Sequence, residues 1–382
     1  MKIIFKTLLG VAAAALVHSC ATAPSQTLSG LSPEKFVSEV NGKPTALYTL
    51  VNANGMEVCV TNFGGRIVSV MVPDRNGEMK DVVLGFDNIA NYADKVNTPS
   101  DFGASVGRYA NRINKGQIVI DGETIQLPQN NFGHCLHGGP DGWQYQVYDA
   151  VQPDNSTIVL TMESPDGDAN FPGAVTAVVT MKVTDDNAID ISYEAVTDKK
   201  TVINMTNHTY FNLSGDPTRR VDDPLMQIDA DNFTPVDFTF MTTGEILPVE
   251  GTPMDFRQPA AIGQDIKNFE FQQVKFGNGF DHNWCLNTAG DDTKVAARAW
   301  CPETGICLEV LTDEPGVQFY SGNFLDGSCT GKNGVTYQQS TGFCLETQKY
   351  PDTPNKPEWP SAFLEPGQKY TSHCVYRFST VE

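Results

Sequence analysis

Apolar and polar residues alternate along much of this chain with a period of two, the repeat of a half-buried strand. Residues 175–183 and 188–196 alternate cleanly on either side of Asp185-Asp186-Asn187, which predicts a hairpin. Residues 117–127 set two short apolar-polar runs around Asp121-Gly122, and an Asp-Gly pair in that position is a strong two-residue turn signal. A third hairpin is expected from residues 295–300 and 306–311, turning at 302–305, and a last strand from 372–379. Shorter β-rich runs at 57–60, 66–72 and 81–86 are broken by Gly, Pro and Asn. Helical periodicity is confined to 89–95 and 259–268, each long enough for a turn or two. Strands at close, even spacing predict an all-β fold, a sandwich or a barrel. No repeat or low-complexity linker divides the chain, so one large antiparallel β-sandwich is expected over residues 31–382.

The first residues follow a different pattern. Lys2 and Lys6 precede an apolar, Ala-rich run at 8–17 that ends in Val17-His18-Ser19-Cys20. A basic end, a short apolar core and small residues before a cut are the layout of a secretory signal. The run falls short of the roughly 20 apolar residues that span a bilayer. Residues 1–19 are therefore expected to be a lipoprotein signal peptide, with Cys20 lipidated and residues 20–30 a small, polar tether. An ordinary cleaved signal with a cysteine nearby is the alternative, and His18 is an unusual residue for the cleavage box. No acidic run follows Cys20, which favours an exported protein held on the periplasmic side, touching the membrane only through its anchor.

Composition narrows the partners. The 33 Gly, 23 Pro and 40% hydrophobic residues describe a folded, loop-rich globule, and the formal charge of −20 argues against nucleic acid and anionic membrane surfaces. A neutral small ligand fits this balance. Beyond Cys20 the cysteines are Cys59, Cys135, Cys285, Cys301, Cys307, Cys329, Cys344 and Cys374. They are irregularly spaced and lie mostly within apolar runs, where a free thiol behaves as a small hydrophobe. Only Cys301 and Cys307 are close enough in sequence to invite a disulfide.

Five histidines remain outside the signal segment: His134, His137, His208, His282 and His373. His373 lies in the last strand and is expected to be structural. The others lie among Gly, Asn and Thr, where loops that carry function are found. His134 and His137 have the spacing of a metal pair, but zinc needs further ligands and a supporting shell. A ligand-contacting loop, whose glycines allow close backbone approach, is the better reading. Thr206-Asn207-His208-Thr209-Tyr210-Phe211-Asn212 mixes an imidazole with hydroxyls, amides and aromatic rings. That mixture suits a pyranose, which carries hydroxyls around an apolar ring. Thr341-Gly342-Phe343-Cys344-Leu345-Glu346 ends an apolar run in a carboxylate, either a rim residue or a buried base. Asp166-Gly167-Asp168 lacks the further ligands of a calcium loop and reads as a turn.

Ten segments occur together in an order that resembles the aldose 1-epimerase (galactose mutarotase) family. They begin with Asn62-Phe63-Gly64-Gly65, Gly107-Arg108-Tyr109-Ala110-Asn111-Arg112 and Leu136-His137-Gly138-Gly139. Phe171-Pro172-Gly173, the His208 segment, Thr234-Pro235-Val236-Asp237 and Met254-Asp255-Phe256-Arg257 follow. Gly279-Phe280-Asp281-His282, Pro315-Gly316-Val317-Gln318 and the Glu346 segment complete the series. The resemblance implies a mutarotase-like β-sandwich with an open cleft, no cofactor and no metal, acting on a free aldose such as galactose or glucose. It implies Glu346 as base and His208 as acid. It further implies that Asn111, Arg112, His137, Asp281 and Gln318 bind the sugar, and Thr209 and Tyr210, the hydroxyl and aromatic residues next to His208, are expected to join them. It leaves His134 without a role.

Overall fold

The computed structural model describes residues 26–382. The expected signal peptide, its cleavage site and Cys20 lie outside the described residues, as does the first part of the tether.

The largest sheet has nine strands, every neighbouring pair antiparallel. Its centre is formed by Val175–Val183, Ala188–Thr197, the terminal Tyr370–Thr380, Ile306–Thr312 and Val295–Trp300. The alternation in sequence has a direct cause here. Val175, Ala177, Val179, Met181 and Val183 are buried, while the residues between them reach solvent. All three expected hairpins form. Asp121 and Gly122 turn the first with φ of 52° and 84°, the left-handed pair that a two-residue turn of this kind requires. The expected helical segments shrink to Ile89–Ala93 and Ile262–Asp265, and one further short helix, Gln272–Gly277, lay in no periodic run.

Opposite the large sheet lie a four-stranded sheet, running from Leu47–Val51 to Met79–Asp81, and a five-stranded one. The latter's last three strands in spatial order are Asp281–Cys285, Gly316–Tyr320 and Cys344–Gln348. One core joins all three sheets, with Val70 from the four-stranded sheet, Ile191 and Tyr376 from the nine-stranded sheet, and Trp284, Val317 and Leu345 from the five-stranded one. The arrangement is a large antiparallel β-sandwich, as expected. The Tyr376 hydroxyl donates to the Leu345 carbonyl at 2.8 Å and so ties the two layers together beside Glu346.

The eight cysteines among the described residues are free and buried, Cys301 and Cys307 included. Cys301 is packed into the core and Cys307 meets the Arg298 guanidinium, with Nε 3.1 Å from Sγ. His373 is structural: Nε2 lies 3.1 Å from Asp190 and Nδ1 2.8 Å from Asp292. With a carboxylate on each nitrogen, the imidazolium is favoured and its pKa is pushed up to about 9, Asp190 being the larger cause. A folded-state pKa above the unfolded value means that the stabilisation is present in acid and lost as pH rises. His373→Gln is therefore expected to lower the Tm at pH 6 and to have little effect at pH 10, as measured by thermal melts across that range.

Candidate active site

The site grows from the face of the five-stranded sheet turned away from the core. Successive strand residues point to opposite faces, so Phe280, Trp284, Val317, Phe319, Phe343 and Leu345 fill the core. Their neighbours Asp281, Gln318, Tyr320, Cys344 and Glu346 take the other face. Cross-strand register sets these in two rows, Asn283–Gln318–Glu346 and Asp281–Tyr320–Cys344. His208 is brought to them by pairing rather than by sequence. Its strand, Thr206–His208, pairs with Ala104–Val106. Just beyond it, Phe211 and Phe343 exchange backbone hydrogen bonds of 2.7 and 2.9 Å.

The result is a cavity of about 280 Å³ lined by Asn111, Arg112, His137, His208, Tyr210, Asp281 and Glu346 among others. That size lies near the small end of the roughly 300–1,000 Å³ usual for ligand pockets. Phe240 closes one wall, and the half-exposed rings of Phe132 and Phe324 stand at the mouth, their centroids 5.4 and 5.5 Å from that of Phe240. Polar groups at the base and aromatic faces at the rim suit a ligand with hydroxyls on an apolar ring.

Glu346 is 2% exposed. Burial raises its pKa to about 7, opposed first by His208 and reinforced by Asp281 and Asp101. Its Oε1 lies 3.5 Å from His208 Nε2, and its Oε2 is buried with no protein partner. His208 is held from the other side by Cys344, with Sγ 3.5 Å from Nδ1, and Tyr210 stacks on its ring at 5.1 Å. His137 plays a different part. Its Nδ1 accepts the Asn111 N–H at 3.1 Å, and burial pushes its pKa down to about 3. It is therefore neutral with its proton on Nε2, a hydrogen-bond donor facing the cavity. Asn111 reaches this place in the left-handed region, φ 61°, with its Oδ1 accepting the Arg112 N–H.

Arg112 donates from Nε to Asn131 at 3.1 Å and lies 5.1 Å over the Phe240 ring. Its terminal nitrogens have no protein partner among the described residues. Burial lowers its pKa, opposed first by Asp281 and then Glu346, yet a guanidinium stays charged at neutral pH. Asp281 is raised by burial and opposed first by Arg112; its Oδ1 accepts from Gln318 Nε2 at 2.8 Å.

The remaining expected residues are placed differently from one another. Thr209 does not line the cavity: its N–H and hydroxyl both bind Asn207 Oδ1, because strand alternation turns it from the face that His208 and Tyr210 share. Gln318, beside Glu346 in the register, donates from Nε2 to Asp281, and its Oε1 is buried with no protein partner. His134 is engaged elsewhere, accepting the Lys115 N–H at Nδ1 and meeting the Thr239 hydroxyl at Nε2. The His134/His137 spacing thus forms no ligand pair. Gly138 makes room for the neighbouring backbone: at φ 79°, a Cβ there would lie 2.4 Å from the Gly107 carbonyl. His282 is buried on the core side, where it accepts the Asp281 N–H.

Asp101 was missed. It precedes the Ala104–Val106 strand and shares the cavity base with His137 and His208, ligand atoms of all three lying within 4.8 Å of one another. Nothing in its Thr98-Pro99-Ser100 lead-in signals that position. As a metal cluster the trio is poorly set, since the His137 tautomer presents an N–H where a lone pair is needed.

These features define an acid–base site for a small polyhydroxylated ligand, built on a mutarotase-like sandwich. A family model described as Aldose 1-epimerase matches residues 46–377. Galactose mutarotase from Homo sapiens is 39% identical over 324 residues, 85% of this chain and 91% of that protein. Aldose 1-epimerase from Escherichia coli K12 is 38% identical over 341 residues, 88% and 96% of the two chains. Among solved structures, an aldose epimerase homologue from C. elegans superposes with a TM-score of 0.81 at 30% identity, covering 88% of this chain and all of the other. A galactose 1-epimerase from Lactobacillus acidophilus NCFM gives 0.78 at 29%, covering 90% and 97%. The chain belongs to the aldose 1-epimerase family.

The raised Glu346 pKa has a consequence for stability. A carboxylic acid raised from its usual value of 4.5 to about 7 destabilises the folded state where it must ionise, above pH 7, and less as pH falls. Glu346→Gln is expected to raise the Tm at pH 8, the difference closing towards pH 5, as read by calorimetry.

Proposed function

We propose that this protein interconverts the α and β anomers of free hexoses such as galactose and glucose, with Glu346 as base and His208 as acid. The observation that carries this is a buried carboxylate and imidazole 3.5 Å apart at the base of a small open cavity, with one carboxylate oxygen left for a ligand. Anomer exchange requires opening the sugar ring, which is two coupled proton transfers. Glu346 takes the proton of the C1 hydroxyl as the Nε2–H of protonated His208 passes to the ring oxygen. The C1–O5 bond breaks, and the oxygen on C1 becomes the carbonyl of an open-chain aldehyde. Rotation about C1–C2 presents the other carbonyl face to the C5 hydroxyl. On closure His208 takes the C5 hydroxyl proton back and Glu346 returns its own to the new C1 hydroxyl.

The remaining side chains have roles that follow from their charge. Arg112 and the His137 N–H offer donors for negative charge on a developing oxyanion, which preorganised groups stabilise without rearranging. Asp281, steadied by Gln318, and Asn111 supply acceptors and donors for sugar hydroxyls. Tyr210 backs His208, and Phe240 with Phe324 offers flat apolar faces to the ring. Burial of its carboxylate keeps Glu346 near the pKa that suits a base at neutral pH.

Polarimetry of freshly dissolved α-galactose and α-glucose tests this reading. Wild-type protein is expected to speed relaxation well above buffer. Glu346→Gln is expected to lose at least about 10²-fold, the low end for a lost proton transfer. The wild-type kcat/KM should fall below pH of about 7, where Glu346 becomes protonated. A Gln variant that keeps near wild-type turnover removes Glu346 from the base role.

We further propose export, with Cys20 as the lipidated residue and the periplasmic side as the location. The basic start, the apolar run at 8–17 and Ser19-Cys20 support this. Labelling cells with radioactive palmitate should mark the full-length gene product and not its Cys20→Ala variant; equal labelling of both rules out the anchor.

A further inference from the structure

Cys344 has no part in the reaction above, yet its sulfur is one of the two protein atoms that the His208 ring nitrogens meet. Cys344 and Glu346 are two residues apart on the strand Cys344–Gln348, so their side chains leave the same face. The imidazole bridges them, Nδ1 at 3.5 Å from Cys344 Sγ and Nε2 at 3.5 Å from Glu346 Oε1. A single strand thus delivers both the base and the group that holds the acid. The strand cannot slip without moving both, because Phe343 is locked to Phe211 on one side and Tyr320 faces Cys344 on the other.

We propose that Cys344 is a positioning residue for the acid: its sulfur accepts the Nδ1–H of His208 throughout the cycle, which leaves the Nε2 proton as the one that moves. This rests on the mutarotase reading of the same site. When protonated His208 gives its Nε2 proton to the ring oxygen, the neutral ring that remains keeps Nδ1–H on sulfur and turns a bare Nε2 to the substrate. On closure Nε2 regains a proton from the C5 hydroxyl and the starting state returns. No proton leaves Nδ1, and no bond to sulfur forms.

The choice of a thiol has a physical rationale. Cys344 is fully buried, and burial together with Glu346, Asp281 and Asp101 holds it as the neutral thiol. A carboxylate in its place would bind the imidazolium strongly and make it a poorer acid. A neutral sulfur orients the ring with a weak hydrogen bond and adds no charge. The other titratable groups facing His208 are Glu346, Asp101, His137, Tyr210, Tyr320 and Asp281. Three of these are carboxylates, so the acid already has ample negative charge around it. What the site lacks without Cys344 is a partner for Nδ1.

The experiment compares kcat, KM and the pH profile of mutarotation for wild type, Cys344→Ala and Cys344→Ser, with one measurement on the wild type alone. Ala is expected to lower kcat by about tenfold, part of the roughly 10²–10⁴-fold that a positioned proton donor is worth. KM should change by less than about twofold, and the pH profile of kcat should no longer superimpose on that of the wild type. Ser, whose hydroxyl also accepts an N–H, should restore most of the loss. In ¹⁵N spectra of histidine-labelled wild type, neutral His208 should carry its proton on Nδ1. An Ala profile that superimposes on the wild type, a loss confined to KM, or a neutral His208 with a bare Nδ1 overturns the proposal. If either variant fails to fold, the ¹⁵N measurement decides. If wild type accelerates no aldose, the mutarotase reading fails, and the same spectra still decide the Cys344 contact.

Discussion

The constraint on which the site depends is the burial of one carboxylate on the face of a sheet. Glu346 sits where water is excluded, and a charge there is costly unless partnered. His208 supplies the partner, and the two are held by separate strands whose neighbouring residues Phe211 and Phe343 are joined by backbone hydrogen bonds. Much of what surrounds them adjusts this one charge. Arg112 lowers the cost of ionising Glu346 and Asp281 raises it, while His137 is kept neutral so that it adds a donor and no charge. The balance leaves the base near neutrality, where it can both take and return a proton.

A sandwich suits this arrangement because a strand offers two faces with different duties. Within Cys344–Gln348, Leu345 joins the core while the opposite face carries Glu346 to the cavity and Cys344 to the His208 ring. The core face anchors the strand through Val317, Trp284 and the Tyr376 hydroxyl on the Leu345 carbonyl. Packing of this density resists displacement, so the reactive side chains are positioned by elements that do not themselves contact the ligand. The loops supply the rest: Asn111 and His137 both adopt left-handed backbone conformations and brace one another across the cavity wall.

The strand alternation at 175–183 and 188–196 was legible because one face of the large sheet is solvated, which prints its period on the sequence. The strands of the five-stranded sheet carry no such period. Gly316–Tyr320 and Cys344–Gln348 are buried on both faces, so their polar residues look like interruptions of an apolar run. Glu346 therefore read as either rim or base, and its family resemblance, rather than its neighbours, pointed to base. Thr209 was drawn into the expected site by its adjacency to His208, and adjacency along a strand is what places it on the opposite side. Gln318 was expected at the sugar from its place after Pro-Gly-Val, and only the fold shows that its amide also holds Asp281. Asp101 was invisible, because it enters the cavity only through the pairing of Ala104–Val106 with the His208 strand.

By itself the sequence determined the all-β class, the three hairpins, the family, and the residue types available for acid–base chemistry. These depend on local pattern and on the order of motifs, which the chain carries in linear form. Tertiary structure alone decided which of those residues meet. The 3.5 Å contacts of His208 with Glu346 and Cys344 join positions 138 and 136 residues apart, and no local pattern encodes a register between strands so distant. It also decided the protonation of the site, since the pKa values of Glu346 and His137 follow from how completely water is excluded around them, a property of the packed interior rather than of any segment.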